Sequence, residues 1–223
     1  MYPTFDYGTT RVRDLQVAQT TRKKSGKLNI NLMEVDGRPV APTSRFWHSF
    51  FFRFRISDNI FRYFQPEEVF ERISLIAPND QLRYSIESDS EGKDRLLAVS
   101  NPERPVIRHG EVAHIVERYA GSDVSYREGI ITSTHTPRSG EQPFALHGDK
   151  FHHRFILETP IDGFSHPKIY LSLLRFVCTN GMVGYSRVFR SDVSLGNDIA
   201  HCITRALESF DNDEGYAALR QRI

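Results

Sequence analysis

The stretch Leu28–Phe54, LNINLMEVDGRPVAPTSRFWHSFFFRF, changes its hydrophobic period partway along, and that change decides the fold class. Leu28-Asn29-Ile30-Asn31-Leu32 alternates apolar and polar residues, the period of a half-buried strand. Asp36-Gly37 tolerates the positive φ of a tight hairpin turn, which carries the chain into Arg38-Pro39-Val40. Thr43 or Ser44 can then cap a helix. Beyond that cap Phe46, Phe50 and Phe54 recur at every fourth position, with Trp47 and Phe51 beside them and Arg45, Ser49 and Arg53 off the stripe. A hairpin feeding directly into an amphipathic helix predicts an α+β fold.

Further elements follow the same logic. Gln65-Pro66-Glu67-Glu68 opens a second helix, with Pro at the first helical position, acids in the first turn, and Val69, Phe70 and Ile73 as its buried face. Leu82–Ile86 and Arg95–Val99 read as a hairpin joined by the polar loop Glu87–Asp94. Val112–Tyr119 falls among short helical and strand-like pieces, and Thr134–Gly148 reads as a long loop. Phe151–Glu158 and Lys168–Cys178 read as strands. Asn180-Gly181 is a strong hairpin turn signal leading into Met182–Arg190. Ile199, Ile203, Leu207 and Phe210 mark one face of a helix ending near Asp211. Another helix begins at Tyr216 and stops at Ile223 without a capping signal, as expected of a trimmed chain. The expected architecture is a mainly antiparallel sheet built from β-hairpins, with helices packed on one face. Residues 1–27 read as a polar, basic N-terminal arm and 28–223 as a single α+β domain, with an internal seam at Asn101–Pro105.

Composition narrows the class. Of the 223 residues 39% are hydrophobic and 12% aromatic, enough to fill a core without disulfides. No apolar run approaches the roughly 20 residues that cross a bilayer, so no membrane association is expected. The N-terminus lacks the basic and apolar regions of a signal peptide. The two cysteines, Cys178 and Cys202, fall in different elements and suit a reducing compartment, so a cytoplasmic location is expected.

The net charge of +1 conceals an asymmetry: residues 1–64 carry 11 Lys/Arg against 5 Asp/Glu. Part of that excess is the run Arg22, Lys23, Lys24 and Lys27, suited to contacts with phosphates. The rest includes Arg45, Arg53, Arg55 and Arg62, which interleave with the aromatics of Arg45–Phe64. Aromatic rings stack on unpaired bases and arginines neutralise phosphates, so these eight cations are candidates for binding DNA or RNA, single-stranded by preference. The helical spacing of Phe46, Phe50 and Phe54 assigns most of the rings to core packing, leaving Phe52, Phe61 and Tyr63 open.

Other chemistries find weaker support. His147, His152, His153 and His166 lack metal spacing, since His152 and His153 would face opposite sides of a strand; neither a metal nor a cofactor is expected. Asp80 with Glu91-Gly92-Lys93 resembles the carboxylate and lysine set of metal-dependent nucleases, but Glu91-Gly92-Lys93 lies in a polar hairpin loop, where such residues are expected anyway. Cys178 alternates within an apolar strand, as a buried thiol does. No Gly-rich phosphate loop occurs and no catalytic residue is assigned.

The segment Leu174-Arg175-Phe176-Val177-Cys178-Thr179-Asn180-Gly181-Met182-Val183 resembles the signature hairpin of the domain-of-unknown-function 932 family. The resemblance implies a phage or plasmid context and transfers no catalytic residue. The leading expectation is a non-enzymatic, nucleic-acid-associated binding protein of a mobile element. The alternatives are a protein–protein module of phage assembly or host interaction, and a metal-dependent nuclease or hydrolase.

Overall fold

The computed structural model describes residues 3–22, 28–136, 144–146, 149–176, 183–192 and 198–210. The fold is α+β, and the chain divides into two compact units where one was expected. The first comprises Met1–Arg104 with the short return Asp162–Phe164; the second comprises Pro105–Ile161 and Ser165–Ile223. The boundary falls between Arg104 and Pro105, within the Asn101–Pro105 stretch that interrupts the hydrophobic pattern.

The first unit contains strands β1 (Thr4–Arg11), β2 (Leu15–Arg22), β3 (Leu28–Val35) and β4 (Arg38–Pro42), helices α1 (Ser44–Phe54) and α2 (Pro66–Ile76), and strands β5 (Gln81–Ser88) and β6 (Asp94–Ser100). A 3-10 turn, Asp58–Arg62, joins the helices. The strands form one sheet in the order β1-β5-β6-β4-β3-β2, antiparallel except for the β4–β6 pair. Most of the segment expected to be a basic arm is therefore strand. Its Thr, Tyr and Phe residues favour extended backbone once a partner is available, and β5 supplies one to β1. Gly8 lies opposite Tyr84, whose ring comes so close that a Cβ at Gly8 would overlap it.

The β3–β4 turn takes the expected form, with φ of 51° at Asp36 and 78° at Gly37. Thr43 caps α1 by accepting the Phe46 N–H at 3.2 Å, and its hydroxyl donates to the Leu96 carbonyl at 2.9 Å. Ser49, fully buried, donates to the Phe46 carbonyl and accepts the Val99 N–H at 2.9 Å, which fixes α1 against β6. The core gathers Phe46, Phe50 and Phe70 with Leu15, Met33, Val40, Leu82 and Leu96. Phe50 and Phe70 stack with centroids 4.7 Å apart. Burying such rings contributes roughly 2–3 kcal/mol each.

The second unit contains α3 (His109–Arg118), strands β7 (Ser122–Arg127), β8 (Ile130–His135), β9 (Phe144–Leu146), β10 (Asp149–Pro160), β11 (Lys168–Phe176) and β12 (Val183–Asp192), and α4 (Ile199–Phe210). Its sheet runs β12-β11-β10-β8-β7, antiparallel throughout, with β9 also on β10. Ile199, Ile203 and Leu207 of α4 are buried as their spacing requires. Thr134 and His135, read as the start of a loop, instead end β8. The turn at Asn180-Gly181, Cys178 and the helix expected from Tyr216 lie outside the described residues.

Candidate functional site

The C-terminal half of α1 and the C-terminal end of β6 meet because Ser49 ties them together one turn earlier. Past that tie the two elements bound a cleft of about 570 Å³. Phe51, Phe52, Arg53 and Arg55 line it from the helix, Val99, Ser100, Asn101 and Arg104 from β6 and the turn after it, and Phe164 from the return segment. Three guanidinium groups and three phenyl rings thus share one concavity, and no carboxylate is among its described lining residues.

Each wall has a local cause. Arg55 ends α1 in the left-handed conformation (φ 53°, ψ 40°), with its N–H on the carbonyls of the last turn. That position favours Gly or Asn, so an arginine there carries backbone strain on the order of 1 kcal/mol. Arg104 closes a turn in which its own N–H bonds the Asn101 carbonyl at 3.0 Å and the Asn101 side chain accepts the Glu103 N–H at 3.0 Å. Arg83 of β5 donates to the carbonyls of Pro102 and Arg104, holding that turn in place. The Arg104 guanidinium lies over the Phe164 ring, 5.4 Å from its centroid, and burial lowers its pKa against an opposing pull from Asp162.

Phe164 is placed by an ion pair. Arg45, on the first turn of α1, donates through Nε (3.1 Å) and Nη2 to Asp162, whose carboxylate is fully buried. The other Asp162 oxygen accepts the Phe164 N–H at 2.9 Å, and its carbonyl accepts the Ser85 hydroxyl at 2.8 Å. So held, the Phe164 ring meets Phe52 edge-on at 5.5 Å. Phe52 is 68% exposed, an orientation available to a stacking partner.

The eight cations singled out by the sequence part company here. Arg53 and Arg55 line the cleft. Arg53 also stands 3.5 Å from Asp80, and its Nε is buried without a hydrogen-bond partner. Arg45 serves Asp162. Arg62 lines a separate hollow beside Trp47. Arg22 ends β2, and Lys23, Lys24 and Lys27 lie outside the described residues. Neither Arg55 nor Arg62 forms an ion pair with a described carboxylate. Of the rings left open, Phe52 and Tyr63 are exposed, while Phe61 packs against the core. Arg104 and Phe164 escaped the sequence reading, because nothing local ties them to α1.

The nuclease-like set does not converge. Glu91 pairs with Lys93 at 3.0 Å in the exposed β5–β6 turn, while Asp80 stands by Arg53. Among the described residues no group of three or more His, Cys, Asp or Glu is placed to hold a metal ion. One serine–histidine hydrogen bond does occur in the second unit, between Ser133 Oγ and His135 Nε2 at 2.8 Å. His135 Nδ1 lies 3.1 Å from the Tyr119 carbonyl, which can only accept, so Nδ1 carries the proton and Ser133 donates to Nε2. Both side chains are buried and line no described cavity, so this pair organises the end of β8.

No described helix is long and apolar enough to cross a membrane. No protein-family model, curated protein or solved structure matches the chain.

Proposed function

We propose that the chain is a binding protein for single-stranded nucleic acid and that the cleft between α1 and β6 is where the strand lies. The observation that carries this reading is the joint lining by Arg53, Arg55 and Arg104 together with Phe52 and Phe164, with no acidic residue among the described walls. Guanidinium groups neutralise backbone phosphates, and an exposed phenyl ring offers a face to an unpaired base whatever its identity. A mobile-element context, implied by the hairpin resemblance, is compatible with such an activity.

The test is fluorescence anisotropy of a labelled single strand against the full chain at two salt concentrations. Three phosphate contacts on a single strand give a log–log salt slope near −2, so affinity falls about 20-fold between about 50 and 200 mM salt. Arg55→Ala and Arg104→Ala each flatten that slope. Absence of binding at about 50 mM salt removes the proposal.

A further inference from the structure

Phe51 has two sides. One lines the arginine cleft, and the other lines a smaller hollow of about 250 Å³ together with Trp47 and Phe61. These three rings form a continuous aromatic wall: Trp47 lies 5.5 Å from Phe61 and 5.9 Å from Phe51, and Phe51 lies 5.9 Å from Phe61. The rim is polar. Asp58, Asn59 and Arg62, all on the 3-10 turn after α1, also line the hollow.

We infer that this hollow seats one nucleobase of the strand whose phosphates lie against Arg53, Arg55 and Arg104. The inference rests on the reading of the neighbouring cleft and names what the strand does beside it. Size is the first argument. The volume is below the roughly 300–1,000 Å³ typical of sites for drug-sized ligands, so it suits a single ring system and not a length of chain. Charge is the second. Asp58 and Arg62 bring one charge of each sign to the rim without pairing with each other, so the rim has no net charge and offers both an acceptor and donors to an uncharged ring. The Asn59 amide adds one more donor and one more acceptor, the equipment that meets a base edge. Position is the third: the shared wall at Phe51 lets one ligand occupy both hollows, base on one side and phosphate on the other.

Trp47 is the single tryptophan of the chain and lines this hollow, so all tryptophan emission comes from its wall. The experiment titrates the full chain with two single strands of about 12 nucleotides, one carrying bases and one abasic throughout, while reading Trp47 fluorescence and anisotropy together. The expected result is that the base-bearing strand binds about 10-fold more tightly or better and quenches Trp47, whereas the abasic strand binds in a salt-dependent way without changing Trp47 emission. Equal affinities with unchanged emission would overturn the base seat and leave the cleft reading standing. Failure of both strands to bind at low salt overturns the cleft reading, and the base seat with it.

Discussion

Replacing Arg55 with glycine should move stability and binding in opposite directions. The residue caps α1 at φ 53°, where an L side chain costs about 1–2 kcal/mol that glycine avoids. Against this stand the extra backbone freedom of glycine in the unfolded chain, about 0.4–1 kcal/mol, and the lost attraction of a cation for the helix C-terminus, about 0.3–1 kcal/mol. Arg55 is exposed and unpaired among the described residues, so that last loss lies at its lower end. The balance runs from a loss of about 0.3 to a gain of about 1.3 kcal/mol and centres on a gain of about 0.5 kcal/mol, a rise of roughly 2 °C in the melting temperature. Binding should change far more. Loss of one phosphate contact lowers the salt slope by about 0.7 and weakens a single-stranded ligand several-fold at low salt. Arg55→Lys is the control, since it keeps the charge and the strained backbone and should retain most of the affinity. Thermal melts and salt-dependent anisotropy on the three proteins decide the matter. A glycine variant less stable than the parent by more than about 0.3 kcal/mol refutes the strain argument, and one with an unaltered salt slope refutes the role of Arg55 in the cleft.

Three further outcomes follow from buried groups. Ser49→Ala leaves the Val99 N–H without its acceptor in a fully buried position, which should cost about 1–3 kcal/mol in urea unfolding; a neutral result would mean that the tie between α1 and β6 is dispensable. Arg45→Met strands the buried Asp162 carboxylate and should destabilise by about 3–5 kcal/mol, with Arg45→Met/Asp162→Leu less harmful than the single change; equal losses would show that the charge on Asp162 carries no penalty. Burial lowers the pKa of His135 below its ordinary value of 6.5, outweighing the bond to Tyr119. The unfolded chain therefore binds a proton first: the stability contributed by neutral His135 is intact above that ordinary value and is lost as pH falls through it toward the depressed one. His135→Gln should flatten the acid limb of a stability–pH curve, and parallel curves for the two proteins would refute the assignment.

The part of this molecule legible in its sequence is the part governed by neighbours along the chain. The Asp36-Gly37 turn, the Thr43 cap, the Pro66 helix start and the four-residue spacing of Phe46, Phe50 and Phe54 all act within one or two turns, and each took its expected form. The strands of the first 22 residues were missed, because the alternation of Phe5 and Tyr7 with Thr4 and Asp6 is short and gives way to Gly8-Thr9-Thr10, and Thr4–Arg11 is fixed as a strand by pairing with β5, some 70 residues later. Charge alone was likewise a partial guide. Arg45 and Arg53 look alike in composition, yet one neutralises a buried carboxylate and the other borders a cleft. Sequence by itself determined the fold class, the aromatic core of α1 and the reservoir of arginines beside it. Tertiary structure decided which arginines share a surface, because Arg104 and Phe164 reach that surface only after the Arg83 and Asp162 contacts have brought distant segments onto α1 and β6. Side-chain contacts between residues that far apart leave no periodicity to read.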